Sequence, residues 1–285
     1  MTRTLAFLLL LALASPASTQ EAPKAKVVAN ITYCKIADKE MQLDLALPQG
    51  KGPFPTVVCV HGGAWRLGKR QDLTTLIKLL ADEGYAAATV SYRLLPDAKF
   101  PDPLVDCKTA VRFLRANAEK YSIDKARIGT VGYSAGGHLV CLMGVANKDA
   151  GFEGNEYADQ SSKVQAVVSY FGPIDLTHYG SDDSAQKSIF VPLLGGRFKD
   201  KPELYKKASA ITYVSKDSPP FLFLHGTMDT LVPIEQSRAM FAKLKEAGAS
   251  AQIVEFEGAG HGWGGDDLKK STKSMLKFFA ENLKK

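Results

Sequence analysis

The stretch Gly132-Tyr133-Ser134-Ala135-Gly136-Gly137-His138 holds one serine between glycines, after the apolar run RIGTV and before LVCLMGVA. A serine hydroxyl becomes a useful nucleophile when a base takes its proton and an acid orients the base. Five histidines are available: His61, His138, His178, His225 and His261. His261 lies in GAGHGW, a glycine loop from which an imidazole can swing onto Ser134, and it is the expected base. His138 falls in the helix behind the serine and points away. His225 ends a strand and is read as supporting. His61 shapes a glycine turn, and His178 sits in an irregular segment. For the acid, HGTMDTLVP places Asp229 four residues beyond a strand end, and Asp175 in FGPIDL is its rival. In HGGAW (residues 61–65), adjacent glycines leave backbone N–H groups near the end of a strand. Such donors can hold the negative oxygen of a tetrahedral intermediate; a plain glycine turn is the alternative.

This chemistry needs a scaffold that brings distant loops together. Val27 to Cys34 and Met41 to Leu47 read as a strand pair, the second alternating polar and apolar residues. Thr56 to Val60 is solidly apolar, as a strand covered on both faces should be. Helices and strands then alternate: helices over 70–83, 103–120, 135–147, 235–247 and 267–283, with strands YAAATVSY, RIGTVGY, VQAVVSYFG, PFLFLHG and AQIVEFEG between them. That rhythm predicts an α/β fold with a mostly parallel sheet and helices on both faces. Ser134 then sits in a sharp turn between strand and helix, where Gly132 and Gly136 leave room for a strained backbone. The helix that follows aims its unpaired N–H groups at whatever binds the serine. Residues 173–215 break the rhythm and are expected to form an inserted lobe beside the site. Its Tyr179, Phe190, Phe198 and Tyr205, mixed with Asp182, Asp183, Lys199 and Lys201, would either meet a sugar or aromatic acyl group or anchor the lobe.

The chain has 285 residues, 45% hydrophobic and 23% charged, which excludes a disordered protein and suits one large domain. The first twenty residues have an early arginine, an apolar run from Leu5 to Ala14 and small residues after it. This is the layout of a cleaved secretory leader; a membrane span needs ~20 apolar residues. The expected organisation is a leader at 1–20 and a catalytic domain over 26–285. Net charge is +6, with lysines crowded near the C-terminus. These read as the solvated face of a terminal helix, and nucleic acid is a poor partner for an exported protein. Cys59 and Cys141 lie in apolar runs and should remain thiols, with Cys34 and Cys107 open.

The motifs HGGAW, GYSAGG, HGTMDTLVP and GAGHGW stand in an order that resembles the α/β-hydrolase family from about Tyr33 to Phe279. Within that family the chain is similar to small secreted acetyl xylan and feruloyl esterases, and to hormone-sensitive-lipase-like esterases. Tyr133 and Thr227 stand where many relatives carry Asp. The resemblance implies Ser134 as nucleophile, His261 as base, Asp229 as its orienter, and the N–H groups of Gly62, Gly63 and Ala135 as an oxyanion hole. Trp65, Tyr133 and Trp263 are the expected substrate contacts. The reaction expected is hydrolysis of short-chain acyl esters by an exported enzyme, with neither metal nor organic cofactor and no stable membrane insertion. An arylformamidase-like amidase or a peptidase on the same fold remains open, as does a non-catalytic binding protein that kept the fold. Oligomeric state is not legible.

Overall fold

The computed structural model describes residues 25–179 and 186–284, the side chains of 186 and 187 excepted. The leader expected at 1–20, and Asp182 and Asp183 of the lobe, lie outside the described residues. Eight strands form one sheet: β1 (Lys26–Ile36), β2 (Lys39–Leu47), β3 (Phe54–Val60), β4 (Ala86–Val90), β5 (Ile123–Tyr133), β6 (Ala166–Tyr170), β7 (Phe221–Gly226) and β8 (Ala251–Phe256). Their spatial order is β1-β2-β4-β3-β5-β6-β7-β8. β1 and β2 form the antiparallel pair, β2 meets β4 antiparallel, and every later pairing is parallel. This is the fold class expected from the alternation of elements.

The helices are α1 (Thr74–Asp82), α2 (Asp102–Ala116), α3 (Ala135–Val145), α4 (Val191–Leu194), α5 (Pro202–Lys207), α6 (Glu235–Glu246) and α7 (Gly265–Leu283). Residues of one strand divide between two cores, because successive side chains point to opposite faces. Val58 and Val60 of β3 pack with Leu104, Val111 and Leu139 of α2 and α3, and with Met240 and Leu244 of α6. Val57 and Cys59 pack on the other face with Ile77 and Leu80 of α1 and with Met275, Phe278 and Phe279 of α7. A central strand buried on both sides cannot alternate with polar residues, which is why TVVCV is continuous. All four cysteines are buried thiols. α2 ends at Ala116, short of the expected 120, with the Asn117 amide donating to the Phe113 carbonyl at its end.

The lobe lies between β6 and β7. Its aromatics are anchors rather than an open face: Tyr179, Phe190 and Tyr205 are buried. Tyr179 and Phe190 meet edge to face at 4.6 Å, and the Tyr205 hydroxyl donates to the Gly196 carbonyl. For these three the structure has the anchoring role; Phe198 is half-buried, with its ring 5.4 Å from that of Tyr205. Among the described residues no helix is long and apolar enough to cross a membrane, and no cluster of three His, Cys, Asp or Glu side chains could hold a metal ion.

Candidate active site

Three loops at the carboxyl ends of β5, β7 and β8 meet in one place. The first is the turn at Ser134, whose φ of 52° and ψ of −117° are strained for a residue with a Cβ. The turn persists because both flanking glycines are in contact with backbone. A Cβ on Gly132 would lie 2.2 Å from the Gly136 carbonyl oxygen, and one on Gly136 would lie 2.2 Å from that of Val60. The Ser134 N–H donates to the Tyr170 carbonyl at 2.9 Å, tying the turn to β6.

β7 and β8 carry the other two loops, and these are stitched together. The Met228 N–H donates to the Ala259 carbonyl at 2.9 Å, and the Gly258 N–H to Thr227 Oγ1 at 2.9 Å. Thr227 thus fastens the acid loop to the base loop. Between them His261 Nδ1 lies 2.7 Å from Asp229 Oδ2, and His261 Nε2 lies 2.9 Å from Ser134 Oγ. A carboxylate only accepts, so Nδ1 carries the proton and Nε2 is left to accept from the serine hydroxyl. The Asp229 side chain is fully buried, while His261 is partly open to solvent. Burial opposes the carboxylate charge, but N–H donors from His225, His261 and Val232 outweigh it and hold Asp229 well below the usual carboxylate range. Asp175 is occupied elsewhere: it accepts from the Thr177 N–H and hydroxyl and pairs with His178, whose side chain is exposed.

The HGGAW loop after β3 faces the serine. A Cβ on Gly62 would lie 2.9 Å from the Tyr133 carbonyl oxygen and 3.3 Å from Ser134 Cβ. The carbonyls nearest the serine are engaged: His61 O accepts from the Tyr92 hydroxyl, Gly62 O from His61 Nδ1, and Gly63 O from the Arg66 and Leu67 N–H groups. The N–H groups of Gly62 and Gly63 have no acceptor among the described residues. The Ala135 N–H opens α3, in the turn where helix donors have no intrahelical partner. Outward carbonyls and unpaired N–H groups beside the hydroxyl are what an oxyanion requires.

The remaining histidines support the scaffold. His61 stacks on Tyr92 at 4.4 Å, and burial depresses its pKa. His138 is fully buried, donates from Nε2 to the Ala208 carbonyl, and is pushed down to about 4 by desolvation. The expected substrate aromatics all have packing partners. Trp65 is 2% exposed and meets His138 edge-on at 5.1 Å. Tyr133 stacks on Tyr170, and Trp263 stacks on Phe256 with its indole N–H donating to Ser271. Phe171 carried no signal in the sequence. Its φ of 40° is exceptional for an aromatic residue, and it sets the ring 4.6 Å from the His261 imidazole.

A mostly parallel sheet with a serine, histidine and aspartate at its strand ends defines the α/β-hydrolase class. Comparison with known proteins narrows it. The chain belongs to the BD-FAE family, whose profile matches residues 43–244. Esterase LipC of Mycobacterium tuberculosis is 34% identical over 216 residues, 74% of this chain and 53% of that protein. The chain spans about half the length of the curated relatives it matches. A truncated carbohydrate esterase from gut microbiota superposes with a TM-score of 0.85 at 30% identity, covering 92% of this chain and 98% of that one. The thermophilic esterase Est2 of Thermogutta terrifontis, solved with propionate bound, gives 0.76 at 26% identity, covering 91% and 94%.

Proposed function

We propose that the chain is an exported serine carboxylic-ester hydrolase that cleaves short acyl esters, with acetyl or feruloyl groups on plant polysaccharide as its natural substrates. The observation that carries this reading is the pair of contacts at His261, 2.7 Å to Asp229 and 2.9 Å to Ser134. His261 Nε2 takes the hydroxyl proton as Ser134 Oγ bonds to the ester carbonyl carbon. The carbonyl oxygen becomes an anion against the N–H groups of Gly62, Gly63 and Ala135. Collapse of this intermediate breaks the bond to the alcohol, which leaves with the proton from His261. Water then repeats the sequence on the acyl-enzyme, releasing the acid and restoring Ser134. No step calls for a metal or cofactor.

The substrate class rests on less. The carbohydrate esterase of gut microbiota supports a glycan alcohol, the propionate in Est2 supports a small acyl group, and the leader-like residues 1–20 support export. The test is a panel on the wild type and Ser134→Ala: p-nitrophenyl esters from acetyl to dodecanoyl, formanilide, acetylated xylan and methyl ferulate. We expect kcat/KM to peak between acetyl and butyryl, acetate or ferulate to be released, and Ser134→Ala to be folded and inactive. An optimum at octanoyl or longer would replace the short-acyl reading with a lipase-like one. Preference for formanilide would make the enzyme an amidase. Normal turnover by Ser134→Ala would refute the nucleophile itself.

A further inference from the structure

The histidine near the end of β7 stands outside the three-residue relay, yet it touches the relay's acid. His225 is fully buried. Its Nε2 lies 2.8 Å from the Val232 carbonyl oxygen and 3.3 Å from Asp229 Oδ2. Both oxygens only accept, so Nε2 carries the proton and Nδ1 is bare. Nδ1 then accepts from the Ser237 hydroxyl at 2.7 Å. Ser237 belongs to α6, so a separate element fixes the tautomer. Asp229 therefore has three hydrogen-bond donors. Oδ1 accepts from the Leu231 and Val232 N–H groups and Oδ2 from His261, while the His225 N–H, given to the Val232 carbonyl, lies with its nitrogen 3.3 Å from Oδ2.

We infer that His225 is a positioning residue for acyl transfer at Ser134: its N–H holds the Val232 carbonyl, and with it the Asp229 turn, and its ring edge lies against the carboxylate oxygen that faces His261. Three donors and this edge fix the rotation of the carboxylate, so Oδ2 cannot turn from the imidazole. The His225 N–H also draws electron density from Oδ2. That weakens the pull of Asp229 on the His261 proton. The polar groups around this pair come from every neighbouring element. They are Asp229 in its own loop, His261 in the base loop, Ser237 on α6, Tyr179 of the lobe through its hydrogen bond to the Leu231 carbonyl, and Glu255, which lies opposite His225 on β8 and is paired with Arg238 of α6. Apart from His261, only His225 among them brings a side-chain N–H edge within 3.3 Å of Asp229.

The inference rests on the Ser134–His261–Asp229 reading. The test compares His225→Leu, which removes the donor, with His225→Gln, whose amide can place an N–H where Nε2 stood. With p-nitrophenyl acetate, His225→Leu should lose about tenfold in kcat with KM little changed, the scale of one buried hydrogen bond. Its acidic limb of kcat/KM should move up by about half a pH unit. His225→Gln should retain the wild-type limb and most of the rate. A silent His225→Leu overturns the inference. So do equal losses in both variants with an unmoved limb, because that pattern is structural. A measurement on the wild type holds whatever the variants do: nitrogen NMR should find His225 protonated at Nε2, with that signal moving when a fluorophosphonate labels Ser134. The opposite tautomer, or an unmoved signal, also overturns it. Turnover surviving in Ser134→Ala would instead sink the triad reading, independently of His225.

Discussion

Replacing Asp229 by Asn exchanges one oxygen for an NH2 group in a site with no spare acceptor. If the amide oxygen takes the place of Oδ1, it still accepts from the Leu231 and Val232 N–H groups at 2.9 and 2.8 Å. The NH2 then points at the Nδ1–H of His261, donor against donor, with the N–H edge of His225 beside it. His261 relieves the conflict by moving its proton to Nε2, which lies 2.9 Å from Ser134 Oγ. From there it donates to the serine and cannot take its proton. Flipping the amide sets NH2 against two backbone N–H groups, so neither orientation escapes. Each unsatisfied buried donor costs ~1–3 kcal/mol of stability, and the wrong tautomer costs ~10⁴ in rate in a comparable triad, or about 5.5 kcal/mol of barrier. The assay is kcat/KM for p-nitrophenyl acetate beside a melting curve. Asp175→Asn is the control, since Asp175 serves Thr177 and an exposed His178, and its activity should be nearly unchanged. Asp229→Asn keeping more than about a tenth of the wild-type rate would contradict this reasoning. A larger loss from Asp175→Asn would contradict it equally.

Three further outcomes follow from the same geometry. Gly136→Ala should cost at least about 2 kcal/mol, because its Cβ meets the Val60 and His61 carbonyl oxygens at 2.2 and 2.5 Å and backbone has to move; a melting temperature within about 1 °C of wild type would show the turn to be slack. Phe171→Leu should lower kcat more than it raises KM, since the ring packs on His261 at 4.6 Å; a pure KM effect would make Phe171 a substrate contact instead. Because the folded pKa of Asp229 is depressed, the stability its charge supplies is present above the ordinary Asp value of ~3.9 and is lost as pH falls below it. The gap in urea stability between wild type and Asp229→Asn should therefore narrow between neutral pH and pH ~3; a constant gap would mean that the charge contributes nothing.

What could be read in the sequence was local. Ser134, Gly132 and Gly136 are legible because the steric demand of the turn acts across four residues. The continuous TVVCV reveals a strand covered on two faces, but the alternation in MQLDLALP does not mark an open face, since Asp44 and Ala46 are buried as well as Leu43 and Leu45. Asp229 and Asp175 both follow strands, and nothing local separates them. The choice is made by β7 and β8 lying side by side at the sheet's edge, which brings the acid loop against the base loop. The lobe's aromatics were undecidable for a related reason. Composition records that rings are present, and only the tertiary path of the chain turns Tyr179, Phe190 and Tyr205 inward.

Phe171 shows where such reading ends, and its conformation ties together the strain at the site. Among the described residues, non-glycine positions with left-handed φ include Ala64 and Trp65 of the HGGAW loop, Ser134 and Phe171. All four follow the carboxyl ends of parallel strands around one hydroxyl, and each such conformation costs ~1 kcal/mol or more. Three of them are held by a hydrogen bond from another part of the chain. The Trp65 carbonyl accepts the Leu95 N–H, the Ser134 N–H donates to Tyr170, and the Phe171 N–H donates to Leu224. Two of those partners are the last residue of β6 and a residue of β7, strands buried on both faces. The doubly covered centre of the sheet leaves such turns little room to relax, and there the nucleophile, oxyanion donors and the ring behind the base converge.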